Sequence, residues 1–220
     1  MCGRFALSAS ITDLIREFGV DQIPGEYGAS YNITPSQPII VIAKDGERKA
    51  MRCRWGFIPH WAKDPSIGHK MINARSETVA DKPSFREAFK QHRCLIPSDG
   101  FFEWRKEKGG KVPLYIHLKN GQLISFAGLY STWSSPEGGN LSACTIITTA
   151  ANKLLEPIHD RMPAIIPNEK RNIWLDPAIH DKDTLLPLLK PFPSEEMEAY
   201  DVTSRVNSPR NNSPDNIKPV

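Results

Sequence analysis

The chain begins Met1-Cys2-Gly3-Arg4-Phe5, which places a thiol one residue from the start. Initiator methionine is trimmed when the next residue is small, and cysteine is small enough. The mature chain would then begin at Cys2, with an α-amine (ordinary pKa about 7.7 to 8.0) and a thiol (about 8.5) on adjacent carbons. Both are partly nucleophilic near neutral pH, so the terminus would be a bifunctional nucleophile. Gly3 would let a second reactant approach the backbone closely. The competing reading is an ordinary start codon followed by a small buried residue, and the first residues alone weigh toward it.

Three further segments set polar groups among apolar or turn residues: KMINARSET, DGFFEWRKE and EPIHDRMP. In FFEWRKE, strand alternation puts Phe102 and Trp104 on one face and Phe101, Glu103 and Arg105 on the other. A carboxylate between aromatic neighbours is often desolvated, which raises its pKa toward the range useful for proton transfer. The plainer alternative, favoured on the segment alone, has Glu103 paired with Arg105 or solvent on an outer face. His159 follows Pro157-Ile158 and precedes a charged pair, as expected of a constrained functional loop. Asn73 and Arg75 share a face if INARSE is extended, where an amide can donate and accept and a guanidinium can fork onto phosphate. A capped turn explains the same letters. Trp55, Trp61 and Trp104 could each stack on an unpaired base, although tryptophan is more often core.

The elements that must position these residues are mostly strands. The 19 prolines and 14 glycines punctuate runs rich in β-branched and aromatic residues. Strands are expected at GRFAL, PIIVIA, AMRCRWGF, FFEWRKE, VPLYIHLK, LISFAGLYS, LSACTIITT and MPAIIP. The turn-like KDGE, KGG and KNGQ suggest antiparallel hairpins. Helices are expected at SITDLIREFG, with Ser10 as cap, and as short pieces at PSFREAFKQ, ANKLLEPI, NEKRNIWL and DTLLPLLK. The fold class is therefore α+β, with a mixed, largely antiparallel, barrel-like sheet and short flanking helices. One domain over residues 1–220 accounts for the 220 residues and 40% hydrophobic content, with a polar, proline-rich end at about 208–220 read as flexible.

A formal charge of +3 neither demands nor excludes a polyanionic partner. No apolar run approaches a membrane span and no secretory signal opens the chain, so a soluble, cytoplasmic protein is expected. Cys53, Cys94 and Cys144 lie in apolar or alternating stretches, as small hydrophobes do. No C-x-x-C pair occurs, and the six histidines lack ligand spacing, so neither a metal nor a cofactor is called for.

In order, MCGRF, YNITPSQ, RWGFIPHW, INARSET, DGFFEW, TTAAN, IHDRMP and VTSRVN resemble the SOS-response-associated peptidase family, from residue 2 nearly to the C-terminus. FFEW is an aromatic variant of the expected pattern, and Pro191 to Tyr200 matches nothing in it. The resemblance implies a protein that processes abasic sites, removes its own Met1, and joins Cys2 to the aldehyde of an abasic site in single-stranded DNA as a thiazolidine. It implies Cys2 as nucleophile, Asn73 as the group holding the terminus or opened sugar, and Glu103 and His159 as acid/base groups. It also implies Arg4 and Arg75 at phosphates, Trp104 stacking beside the site, and association with the nucleoid when DNA is bound. A monomer is the default expectation.

Two other enzymes could use the same terminus. A glutamine amidotransferase of the N-terminal cysteine kind would attack an amide through Cys2, but the asparagine-glycine and glycine-aspartate pattern it needs is missing. A cysteine protease would pair Cys2 with His159. A noncovalent single-strand-binding protein would simply bury Cys2.

Overall fold

The computed structural model describes residues 2–220. In chain order it contains β1 (Phe5–Leu7), α1 (Ile11–Phe18), β2 (Ser30–Ile33), β3 (Pro38–Asp45), β4 (Glu47–Trp55), β5 (Asn73–Arg75), α2 (Arg86–Gln91) and β6 (Arg93–Ser98). There follow β7 (Gly100–Glu107), β8 (Gly110–Leu118), β9 (Ile124–Ser134), β10 (Asn140–Ala150), β11 (Arg161–Pro163), α3 (Arg171–Leu175), α4 (Lys182–Leu185) and β12 (Met197–Asp201), with short 3₁₀ turns between.

Five strands close into a barrel in the order β10-β4-β3-β6-β9 and back to β10. The β4–β10 contact is parallel and the other four are antiparallel, so closure is mixed. β5 and β11 extend the barrel from β10. A second, antiparallel sheet runs β12-β8-β7-β1-β2. The expected α+β class with a barrel-like sheet is the observed one.

Phe5 joins the two layers. It sits edge-to-face against Trp55 at 5.3 Å and Phe126 at 5.8 Å between ring centres, wholly inside the core. Such pairs add about 0.5–1.5 kcal/mol to the area they bury. Three residues after Cys2, this anchor fixes where the N-terminus leaves the core. α1 forms where its pattern predicts. Ser10 accepts from the Asp13 backbone N–H at 3.1 Å, Leu14 and Phe18 face inward, and Gly19 closes the helix at φ 61°.

Several expectations are corrected. KDGE and KGG do turn the β3–β4 and β7–β8 hairpins, but KNGQ carries the chain from β8 in one sheet to β9 in the other. ANKLLEPI is a run of turns, not a helix: Pro157 cannot donate a helical N–H, and the Asn152 side chain takes the Leu155 N–H instead. β2, β5, β6 and β12 are strands beyond those the local pattern marks out.

The polar C-terminal segment, expected to be flexible, is bound to the second sheet. Asn32 donates to the carbonyls of Ser208 at 3.0 Å and Asn211 at 2.7 Å, Asn212 accepts from the Tyr31 N–H at 2.6 Å, and Val202 bridges to Pro219. Side-chain amides supply the order that composition does not suggest. No helix among the described residues is long and apolar enough to cross a membrane.

Candidate functional site

The site is built where the N-terminus runs along β7. Phe5 pairs with Phe101 and Ala6 with Gly100, and the Phe102 N–H donates to the Arg4 carbonyl at 2.9 Å. Continuing that antiparallel register sets Gly3 and Cys2 beside Glu103 and Trp104. Gly100 lets the Tyr115 ring lie against the β7 backbone at this point, because a Cβ there would lie 2.5 Å from it.

Alternation in β7 works as the sequence suggests, except that both faces are covered. Phe102 and Trp104 pack with Ala6, Tyr115, Val202 and Val206, while Phe101 faces the main core. Glu103 is consequently 4% exposed, and Arg105 pairs instead with Glu107 and Asp201. The outer-face reading of Glu103 is therefore corrected. Burial pushes its carboxyl up to about 7, poised to gain or lose a proton near neutrality.

Cys2 is wholly buried. Burial first, and the Glu103 charge second, push its thiol well above the ordinary thiol range. A thiol so placed needs a proton acceptor before it can attack, and Glu103 is the carboxylate whose field it feels.

His159 enters from the other side. The loop before it is held by Asn152, whose side chain accepts from the Leu155 N–H at 3.1 Å and donates to the Phe192 carbonyl at 2.8 Å. The His159 N–H then donates to the Leu155 carbonyl at 2.8 Å. The TTAAN motif thus positions IHD. At the ring, Nδ1 lies 3.0 Å from the Arg161 backbone N–H and 2.9 Å from the Asp160 carboxylate. It can accept from the first only when unprotonated and donate to the second only when protonated. Burial lowers the affinity of the ring for a proton against the pull of Asp160, which favours the neutral form that accepts from Arg161.

Glu103, Trp104 and His159 line one cleft of about 850 Å³, together with Lys106, Lys111 and Asn207. Trp104 is fixed by its Nε1–H, which donates to the Asn207 side chain at 2.7 Å. Arg4 lies beside it, with the guanidinium 5.6 Å from the ring centre. Its Nη1 donates to Asn32 at 2.6 Å and to the Val206 carbonyl at 2.5 Å, so part of Arg4 is committed to holding the C-terminal segment. Trp55 lies fully in the core and offers no stacking face, whereas Trp61 is exposed.

Asn73 and Arg75 do extend as a strand, with Asn73 opposite Ile146 and Arg75 opposite Thr148. RWGF places them: the Trp55 indole N–H donates to the Ile72 carbonyl at 2.9 Å, and Phe57 N–H to the Met71 carbonyl at 3.1 Å. Neither residue lines the cleft; the connection runs through Glu77, gripped at both oxygens by Arg161 at 2.5 and 2.9 Å, two residues beyond His159. The Asn73 Nδ2 donates to the Ile72 carbonyl at 3.1 Å, and its Oδ1 is buried with no donor among the described residues. Arg75 is exposed.

Sequence reasoning missed Asn152, Asn207, Lys106 and Lys111. The two lysines could have been found by aligning the arms of the KGG hairpin, which sets them opposite one another.

The arrangement sets a carboxyl that titrates near neutrality and a histidine in one cleft, with the buried Cys2 thiol beside the carboxyl. A model of the SOS response associated peptidase (SRAP) family matches residues 1–209. The chain is 51% identical over 222 residues to the abasic site processing protein YoqW of Bacillus subtilis, covering 99% of each. It is 33% identical over 264 residues to the abasic site processing protein HMCES of Gallus gallus, covering 100% of this chain and 78% of that one. A crystal structure of a protein from Bacteroides thetaiotaomicron matches with a TM-score of 0.90 and 32% identity, over 100% of both chains. The chain belongs to the SOS response associated peptidase family.

Proposed function

We propose that this chain processes abasic sites in single-stranded DNA by trapping the opened deoxyribose aldehyde at Cys2 as a thiazolidine, which shields the strand from cleavage. Met1 is removed first, by the chain itself, because while it remains the Cys2 nitrogen is an amide and cannot form an imine. The observation that carries the reading is the adjacency of Cys2 to Glu103, a carboxyl held near 7, in a cleft shared with His159.

The chemistry balances without a cofactor. The Cys2 amine adds to the aldehyde carbon, and the resulting carbinolamine loses its hydroxyl as water when a protonated acid supplies a proton. Glu103, near its midpoint at neutral pH, can donate it and be left as carboxylate. The thiol then gives its proton to that carboxylate as Sγ bonds to the carbon of the protonated imine, and the released π pair becomes the nitrogen lone pair of the ring. The net reaction is aldehyde plus aminothiol to thiazolidine plus water. Placing both nucleophiles on one residue gives ring closure a high effective molarity. An open imine is an electron sink that favours β-elimination and strand cleavage, and closure removes it.

His159 serves as the second acid/base, for sugar opening and for reversal. The buried Asn73 Oδ1, which has no donor among the described residues, supports a role in accepting from the terminus or the opened sugar, since a buried acceptor left unmatched costs about 1–3 kcal/mol. Trp104 offers a face to a base, with Arg4 and Arg75 at phosphates. A peptidase acting only on Met1, and a lyase activity when closure fails, follow from the same site.

Two measurements test this. Intact mass should show loss of Met1 in active protein, and incubation with a single-stranded oligonucleotide bearing one abasic site should give a product of protein plus DNA that survives a denaturing gel. Active protein that retains Met1, or absence of that product, would overturn the mechanism.

A further inference from the structure

The β7–β8 hairpin contains an arrangement that folding alone does not favour. Lys106 and Lys111 are directly opposite in the antiparallel register, with Lys108 in the turn between them. Like charges placed directly opposite across a ladder destabilise it. Glu107 and Asp201 are both engaged by Arg105, and neither lysine has an ion pair among the described residues, while Glu156 and Asp160 line the same cleft. Both lysines are exposed, and both line the cleft that holds Glu103 and His159.

Two adjacent ammonium groups with no ion pair among the described residues, in the cleft that holds Glu103 and His159, make a seat for an anion carrying at least one full charge. The aromatic Trp104 lies two residues before Lys106 in the same cleft, so an anion on the lysines and a planar ring on the tryptophan are reached together. A nucleotide offers that combination. We infer that Lys106 and Lys111 bind one backbone phosphate of the DNA strand next to the nucleotide stacked on Trp104, and so set the register in which the lesion meets Cys2. This rests on the proposed reaction for its substrate, but the seat can be read without the covalent step.

Phosphate contacts fix position without reading sequence, and each one contributes to the salt dependence of binding, with a slope of about −0.7 per phosphate for single strands. The test is fluorescence anisotropy with a single-stranded oligonucleotide carrying one tetrahydrofuran site, which has no aldehyde and cannot condense. Wild type is compared with the K106A/K111A double variant and with K106R/K111R from about 50 to 200 mM salt. The alanine pair should bind roughly tenfold more weakly at low salt, with a salt slope shallower by about 0.7. The arginine pair should restore both. Replacing the single contacted phosphate by a neutral methylphosphonate should cost wild type the same factor and the alanine pair nothing more.

Equal affinity and slope for wild type and the alanine pair would overturn the assignment. So would displacement of the oligonucleotide by inorganic phosphate at constant ionic strength, lost in the alanine pair, since the seat would then belong to a free anion. A parallel incubation with an aldehyde-bearing abasic oligonucleotide separates the two proposals. If binding behaves as stated but wild type forms no covalent product, the seat stands and the thiazolidine reading falls.

Discussion

The barrel and the β1–β7 edge bury cysteines equally well but surround them differently. Cys53, Cys94 and Cys144 lie inside or against the closed barrel with essentially no exposure, and Cys2 is buried to the same degree at the edge where β1 meets β7. Burial raises the thiols of Cys94 and Cys144 well above their ordinary range, and other cysteines supply the next influence. At Cys2 the next influence is a carboxylate that titrates near neutrality. Desolvation alone makes a thiol inert. What sets Cys2 apart from the packed cysteines here is a neighbouring carboxylate that lines a cleft and titrates near neutrality.

The comparison breaks most sharply at Cys2 itself. Cys2→Ser keeps the α-amine but replaces the thiol with a weak nucleophile, so an imine can form and the ring cannot close. Stable crosslink on a denaturing gel should fall by at least about 10³-fold, roughly 4 kcal/mol in barrier terms. Strand cleavage should rise as the open imine eliminates. The same change at Cys94 should leave the crosslinking rate within about twofold. Comparable losses at both positions would erase the distinction.

Glu103→Gln sharpens it. The shape is retained and the titrating proton is lost, so crosslinking should slow by about 10²-fold, the usual worth of a general acid/base group, while the product is unchanged. Linkage adds a second signature. Because folding raises the Glu103 carboxyl from 4.5 to about 7, its contribution to stability is fully present below about pH 4.5 and disappears as pH rises through about 7. The stability of wild type relative to Glu103→Gln should therefore fall between pH 4.5 and 7.5, by an amount on the order of 1–3 kcal/mol. Urea denaturation across that range measures it, and a difference independent of pH would show that Glu103 titrates normally.

How far the sequence speaks differs in the same two regions. The long barrel strands β3, β4, β9 and β10 are legible because β-branched runs bounded by turn residues need only local information. α1 is legible for the same reason, with its cap and period both local. The site is less so. Alternation correctly divides Phe102 and Trp104 from Phe101 and Glu103, yet cannot reveal that a C-terminal segment 100 residues away covers the Phe102–Trp104 face, so that neither face of the strand is left to solvent. β5 is three residues long and β12 pairs only at an edge, so neither has enough pattern to announce itself. Cys2, Glu103 and His159 could be picked out by type and by family resemblance. That Cys2 neighbours Glu103 depends on the β1–β7 register, a pairing across about a hundred residues that no window of sequence contains.

Within the barrel, Cys94→Ser should act on stability alone. The Cys94 Sγ lies 2.9 Å from where a Cβ on Gly128 would stand, so the site is tightly filled and a hydroxyl there gains no room for water. An unmatched buried hydroxyl costs about 1–3 kcal/mol, which a thermal melt reads directly. Unchanged stability would mean that the hydroxyl finds a partner within the barrel.

The smallest effect is expected where the two regions are tied together at the surface. Arg161 grips both oxygens of Glu77 and also donates to the Thr148 carbonyl at 2.6 Å, linking the segment after Asn73 to the strand after His159. The Arg161 hydrogen bonds hold the Glu77 carboxyl below its usual range, so the pair persists at neutral pH. Glu77 is itself about half exposed, however, and solvent screens much of the attraction. Glu77→Gln keeps one acceptor oxygen and removes the charge, and should cost no more than about 1 kcal/mol of stability. Its effect on crosslinking should be a few-fold at most, and should grow when Asn73 is also changed to alanine if the tie serves to hold β5 against the site. Strictly additive losses in that double-mutant cycle would place Glu77 and Arg161 among the bonds that only fasten the surface.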